Sequence, residues 1–261
     1  MKLPIKEIGE VKSIARPRYY NGSSQKKAIL IIHGFTGHPG DMDYLGNQLN
    51  KNLDITVSIP RLSGHGTNAT DFRSTGAIDW MRSAIDSYLD LKANFDKIIV
   101  AGLSMGGLLS LQLAGGFPLE KMILIAPALY ASDRLLPIAH FLKLFNIKMK
   151  QNSYENSLKN SETEEERLIT EDYYKYHYSK QISELHKLML STRKIIPDIK
   201  TPSLVIASLE DKVVPLKAAE EISNQLSGPA TLEIFKDSPH VINDGPEREL
   251  CAEKIIEFIR K

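Results

Sequence analysis

The sequence predicts an α/β fold: a mostly parallel central sheet with helices on both faces and a helical cap inserted into it. Three observations lead there. Short β-branched runs recur along the chain, segments of helical spacing separate most of them, and one long interval breaks the alternation. Continuous apolar runs suit strands buried on both faces, and strands alternating with helices suit parallel pairing.

Taken in order, the strand runs are "AILIIH" (28–33), "ITVSIP" (55–60), "KIIVAG" (97–102), "KMILIA" (121–126), "SLVIAS" (203–208) and "ATLEIF" (230–235). The clearest helical segments between them are 77–95, 105–116 and 215–226. From about residue 130 to 197 no convincing strand is visible. The interval holds the apolar "RLLPIAHFLKLF" (134–145), an acidic run at Glu162 to Glu166 that reads as a solvated helix start, and "QISELHKLMLSTRKI" (181–195). An interval that long exceeds an ordinary crossover, so it reads as an insertion. The expected organisation is a core domain of residues 1–129 and 198–261, with residues 130–197 as a helical cap, or lid. The "YYKYHY" stretch (173–178) within it reads as surface packing.

The bulk composition narrows the function classes. Hydrophobic residues make up 42% and charged residues 25% of the 261, as in an ordinary globular protein. Lys and Arg total 33 against 32 Asp and Glu, so no broad basic field invites nucleic acid or an anionic membrane surface. Nothing approaches signal-peptide or membrane-span length, and the one cysteine, Cys251, has no partner for an internal disulfide and reads as a core residue. These features lead to the expectation of a cytoplasmic protein.

The stretch "AGLSMGG" (101–107) carries the chemistry. A serine hydroxyl is a weak nucleophile that needs a base beside it and a backbone that exposes Oγ. A sharp turn from strand to helix gives that exposure, and glycine two residues to either side removes the side chains that would collide there. Gly102-Leu103-Ser104-Met105-Gly106 fits this pattern between a predicted strand and a predicted helix, making Ser104 the candidate nucleophile.

Three other stretches would complete a site. "HGFTG" (33–37) follows the first predicted strand, so the Phe35 and Met105 amides are candidates for an oxyanion hole. His33 beside that loop suits a hydrogen bond that fixes the loop better than a role as base. In "SLEDKVVP" (208–215), Asp211 is the better candidate for the carboxylate that orients a histidine, with Glu210 as fallback; "DSPHVIN" (237–243) supplies His240 as the candidate base. No H-E-x-x-H, paired-cysteine or phosphate-loop pattern is present, so no metal or organic cofactor is expected.

Together "HGFTG", "GHG" (64–66), "GLSMGG", "EDKVVP" and "SPHVI" resemble, in this order and across nearly the whole chain, the α/β-hydrolase fold and its carboxylesterase and monoacylglycerol-lipase-like group. That resemblance implies Ser104 as nucleophile, His240 as acid/base, Asp211 as its partner, and the Phe35 and Met105 amides as the oxyanion hole. It also implies hydrolysis of short- to medium-chain acyl esters, with monoacylglycerols as one candidate substrate. The other readings are acyl transfer or thioester cleavage on the same scaffold, or a ligand receptor that keeps the pocket. Ser208 stands where the group commonly has glycine, which leaves the turn before Asp211 open.

Overall fold

The computed structural model describes residues 9–130, 147–150, 164–171 and 175–261. A seven-stranded sheet runs in the order β1 (Arg18–Tyr20), β3 (Thr56–Ile59), β2 (Lys27–Ile32), β4 (Lys97–Leu103), β5 (Lys121–Ile125), β8 (Ser203–Ser208) and β9 (Ala230–Phe235). Only β1 is antiparallel to its neighbour; the other pairs are parallel.

Period-two alternation divides each central strand between two cores. Ala28, Leu30 and Ile32 of β2 join Ile98 and Val100 of β4 on one face, whereas Ile29, Ile31, Ile99 and Ala101 lie on the other. Helices α3 (Ala77–Lys92), α4 (Met105–Gly116), α6 (Ser179–Ile195) and α7 (Leu216–Gln225) cover the first face; α1 (Asp43–Leu53) and α8 (Arg248–Arg260) cover the second. Cys251, on α8, is fully buried in the second core, and burial pushes its thiol pKa up to about 12.

Two short helices complete the description: α2 (Ala69–Ser74), capped by the Asn68 side chain, and α5 (Glu164–Ile169), whose first residue is exposed. The other residues of the acidic run before Glu164, and all of "RLLPIAHFLKLF", lie outside the described residues.

The described part of the interval 130–197 departs from expectation in two respects, and the first is that it contains strands. β6 (Lys148–Lys150) and β7 (Tyr176–Tyr178) form a two-stranded antiparallel ribbon separate from the main sheet. Three-residue strands made of Lys, Met, Tyr and His carry no readable apolar alternation. Tyr178 is not surface packing either: it is buried against Phe72, with the Arg73 guanidinium over its ring. Helix α6 packs on α3 and α4 through Ile182, Leu185, Leu188 and Met189, whose spacing of three and four places them on one helical face. Gln181 ties its start to the Arg73 and Thr75 carbonyls.

Candidate active site

Ser104 closes β4 and opens α4 with φ 55° and ψ −113°, a backbone region that L-residues avoid and that costs on the order of 1–3 kcal/mol. The surrounding structure enforces it. The Ser104 N–H donates to the Ile125 carbonyl, and its own carbonyl accepts from Gly107, Leu108 and Ala128. A Cβ on Gly102 would stand 2.2 Å from the Gly106 carbonyl oxygen, and one on Gly106 would stand 2.1 Å from that of Ile32. Both glycines are therefore required by backbone contact. The side chain ends at the N-terminus of α4, where the helix presents partial positive charge.

The loop after β2 turns back at once, with the Gly37 N–H bonded to the Gly34 carbonyl. Thr36 takes φ 58° there, and its hydroxyl donates to the Phe35 carbonyl at 2.6 Å. Phe35 itself is wedged edge-on against Phe72 and Trp80. Trp80 is fully buried, and its indole N–H donates to Thr75 Oγ1. Within the described residues, neither the Phe35 nor the Met105 amide is taken up by another acceptor.

His33 anchors the loop from beneath. Its Nδ1 bonds the Gly34 carbonyl and so carries the proton, which leaves Nε2 to accept the Leu62 N–H at 3.2 Å. Burial, reinforced by the nearby His65, holds its pKa well below the usual histidine range. The ring is a neutral loop support, as its sequence position suggests.

On the other side, Asp211 Oδ2 and His240 Nδ1 lie 2.7 Å apart. Asp211 Oδ1 accepts the Val213 and Val214 amides at 2.8 and 2.9 Å, and the side chain is 2% exposed. Glu210 is exposed, so the carboxylate beside His240 is that of Asp211. Ser208, in the position of the expected glycine, sends its hydroxyl to the Ser238 carbonyl at 2.5 Å.

The two sides meet at a cavity of about 230 Å³. Ser104, His240, Phe35 and Thr36 line it, and Leu185 and Met189 of α6 supply apolar wall. No hydrogen bond joins Ser104 Oγ to His240, although both side chains line the cavity. His177 on β7 and Asp41 after the Gly34–Gly37 turn also line the cavity, and sequence reasoning singled out neither. The periodicity of residues 181–195 could have flagged Leu185 and Met189 as buried, but not as walls of this cavity. Among the described residues, no cluster of His, Cys, Asp and Glu could hold a metal ion, and no helix is long and apolar enough to cross a membrane.

Comparison with known proteins places the chain in a family and agrees with the fold. The Hydrolase_4 model, described as serine aminopeptidase S33, matches residues 23–246. The chain is 32% identical over 234 residues to a thermostable monoacylglycerol lipase of Bacillus sp. (strain H-257), covering 89% of this chain and 90% of the relative. It is 26% identical over 252 residues to a carboxylesterase of Bacillus subtilis (strain 168), covering 95% and 98%. Among solved structures, one from work on LipS and LipT, two metagenome-derived lipolytic enzymes, superimposes with a TM-score of 0.84 at 29% identity, covering 96% of this chain and 99% of the other.

Proposed function

The chain belongs to the Hydrolase_4 family of α/β-hydrolases, and from that premise we propose that it hydrolyses short- to medium-chain acyl esters, monoacylglycerols among them, through Ser104, His240 and Asp211. The observation that carries this reading is the Asp211–His240 pair and the strained Ser104 on one cavity, next to two unengaged amides.

In the proposed reaction His240 Nε2 takes the Ser104 proton as Oγ attacks the ester carbonyl. Asp211 holds Nδ1–H, fixing the tautomer that leaves Nε2 basic, and stabilises the imidazolium that forms. The carbonyl oxygen, now negative, takes hydrogen bonds from the Phe35 and Met105 amides, aided by the N-terminus of α4. His240 returns the proton to the leaving alcohol, and water then attacks the acyl-enzyme by the same route. Residues 130–197 serve as the cap, with Leu185 and Met189 walling the acyl group. A cytoplasmic setting fits the lone, buried Cys251, which needs no oxidising compartment.

A panel of p-nitrophenyl and glycerol esters graded by chain length tests the reading, with Ser104→Ala as control. The expected result is turnover that falls at long chains and vanishes in the variant, while the variant's circular dichroism is unchanged. Retained activity in Ser104→Ala would refute the nucleophile. Stoichiometric fluorophosphonate labelling without ester turnover would favour a receptor.

A further inference from the structure

Asp211 and His240 lie on different loops, and strand pairing stops before either is reached. The last registered pair of β8 and β9 is Ser208 with Phe235, extended by one bond from Leu209 N–H to the Phe235 carbonyl. Asp211 follows three residues after one strand and His240 five after the other. Without a further tie, two loops leaving parallel strands are free to splay, and the 2.7 Å contact between Asp211 and His240 would open with them.

Two side chains outside the cavity supply that tie. Ser208 is 2% exposed; its Oγ donates to the Ser238 carbonyl and accepts the Glu210 N–H at 3.3 Å, so one hydroxyl bridges both loops. From the opposite side the Glu247 carboxylate, at the start of α8, gathers the 236–238 turn. Oε1 accepts Lys236 N–H at 3.3 Å, and Oε2 accepts Asp237 N–H at 3.0 Å and the Ser238 hydroxyl at 2.7 Å. Desolvation pushes the Glu247 carboxyl up, but the bonds from Ser238, Asp237 and Lys236 outweigh it and hold the group below its ordinary range, in the form that accepts all three. Ser238 is wholly buried between the two clamps, and only Pro239, with its fixed φ, separates it from His240.

The geometry points to Glu247 and Ser208 as positioning residues that act through the buried Ser238 turn to keep His240 in register with Asp211 and Ser104. The inference rests on the triad reading above. Neither residue lines the cavity, so their loss should act on the rate of the chemical step and not on substrate binding.

The test is Glu247→Gln and Ser208→Ala, assayed with p-nitrophenyl butyrate well below the melting temperature, with kcat expressed per Ser104 labelled by a fluorophosphonate. Glutamine keeps shape but exchanges an acceptor oxygen for a donor; alanine removes only the hydroxyl. Each variant is expected to lose about tenfold to a hundredfold in kcat, the scale of a sub-ångström to 1 Å misplacement, with KM within about twofold of wild type. Because both clamps act on one turn, the double variant should lose less than the product of the two. If one variant fails to fold, the other carries the same test. An unchanged kcat per labelled site, whatever happens to KM or Tm, overturns the inference; paired with an inactive Ser104→Ala it does so while leaving the triad standing.

Discussion

Ser104 and His240 border the same cavity but are held by different means. The serine sits at the centre of the sheet, where backbone presses on backbone: two glycines admit carbonyl oxygens at 2.1 and 2.2 Å from where a Cβ would be, and the Ser104 peptide is bonded to β5 and to the segment after it. The histidine sits past the end of β9, near the sheet edge, and its place depends on side chains, namely Asp211, Ser208 and Glu247. Backbone packing is all or nothing, whereas hydrogen bonds made by side chains can be removed singly. Damage on the serine side should therefore appear as loss of fold, and damage on the histidine side as graded loss of rate.

The largest effect expected from this contrast is at Gly106. Gly106→Ala would drive a methyl into the carbonyls of Ile32 and His33, displacing the end of β2 and the loop that follows it together. A loss above about 4 kcal/mol, or no folded protein, is expected in urea denaturation. Gly107→Ala, whose Cβ would meet Pro127 at 3.0 Å, is the milder control. A stable Gly106→Ala protein would break the contrast.

Next comes Asp211→Asn. Its Oδ1 can still accept the Val213 and Val214 amides, so the loop should hold, but Nδ2 then donates towards His240 Nδ1 and imposes the wrong tautomer. A fall in kcat of about 10³–10⁴-fold is expected with an unchanged melting temperature. A large drop in stability at normal rate would reverse the assignment of roles.

A third, smaller effect belongs to the buried histidine beside His33. Burial lowers the His65 pKa to about 4, aided by Arg61 and His38 and opposed by its bond to the Ser63 carbonyl. An unfolded histidine titrates near 6.5, so between that pH and about 4 the unfolded chain binds the extra proton. Stability is then present above pH 6.5 and is lost as pH falls, by about 3 kcal/mol for this group. His33, also held low, contributes with the same sign, so the share of His65 is the part of the urea-midpoint difference between pH 7 and pH 4.5 that is lost in His65→Asn. His65→Asn, whose amide can keep the Ser63 bond, should reduce the slope and leave the contribution of His33.

The smallest effect sharpens the account of Ser104 itself. If φ 55° stores strain, Ser104→Gly should be more stable than Ser104→Ala by about 1 kcal/mol, both being inactive. Equal melting temperatures would mean that the strain is negligible.

The sequence carries the central architecture openly because buried parallel strands must be apolar on both faces; all six predicted runs are strands. β1, β6 and β7 escaped notice because three residues at a sheet edge or in a ribbon need no apolar repeat. At the site, Gly102 and Gly106 betray the turn because only glycine fits so close to backbone. A dipeptide of acids does not itself reveal which one meets the Val213 and Val214 amides, so Asp211 and Glu210 are separated only by the geometry. Ser208 looked like a departure from pattern, and only its distance to Ser238 shows that the hydroxyl is put to use. His177 and Asp41 stayed hidden because lining a cavity depends on tertiary placement, which short-range spacing does not encode.

The sealed Cys251 offers a clock for the second face of the sheet. A thiol that deep beneath α8 is shut away from an aromatic disulfide reagent until the helix lifts, so the speed of colour release counts those excursions. Since Glu247 stands next to that helix's first residue, the same trace would report how often the scaffold beneath the histidine lets go.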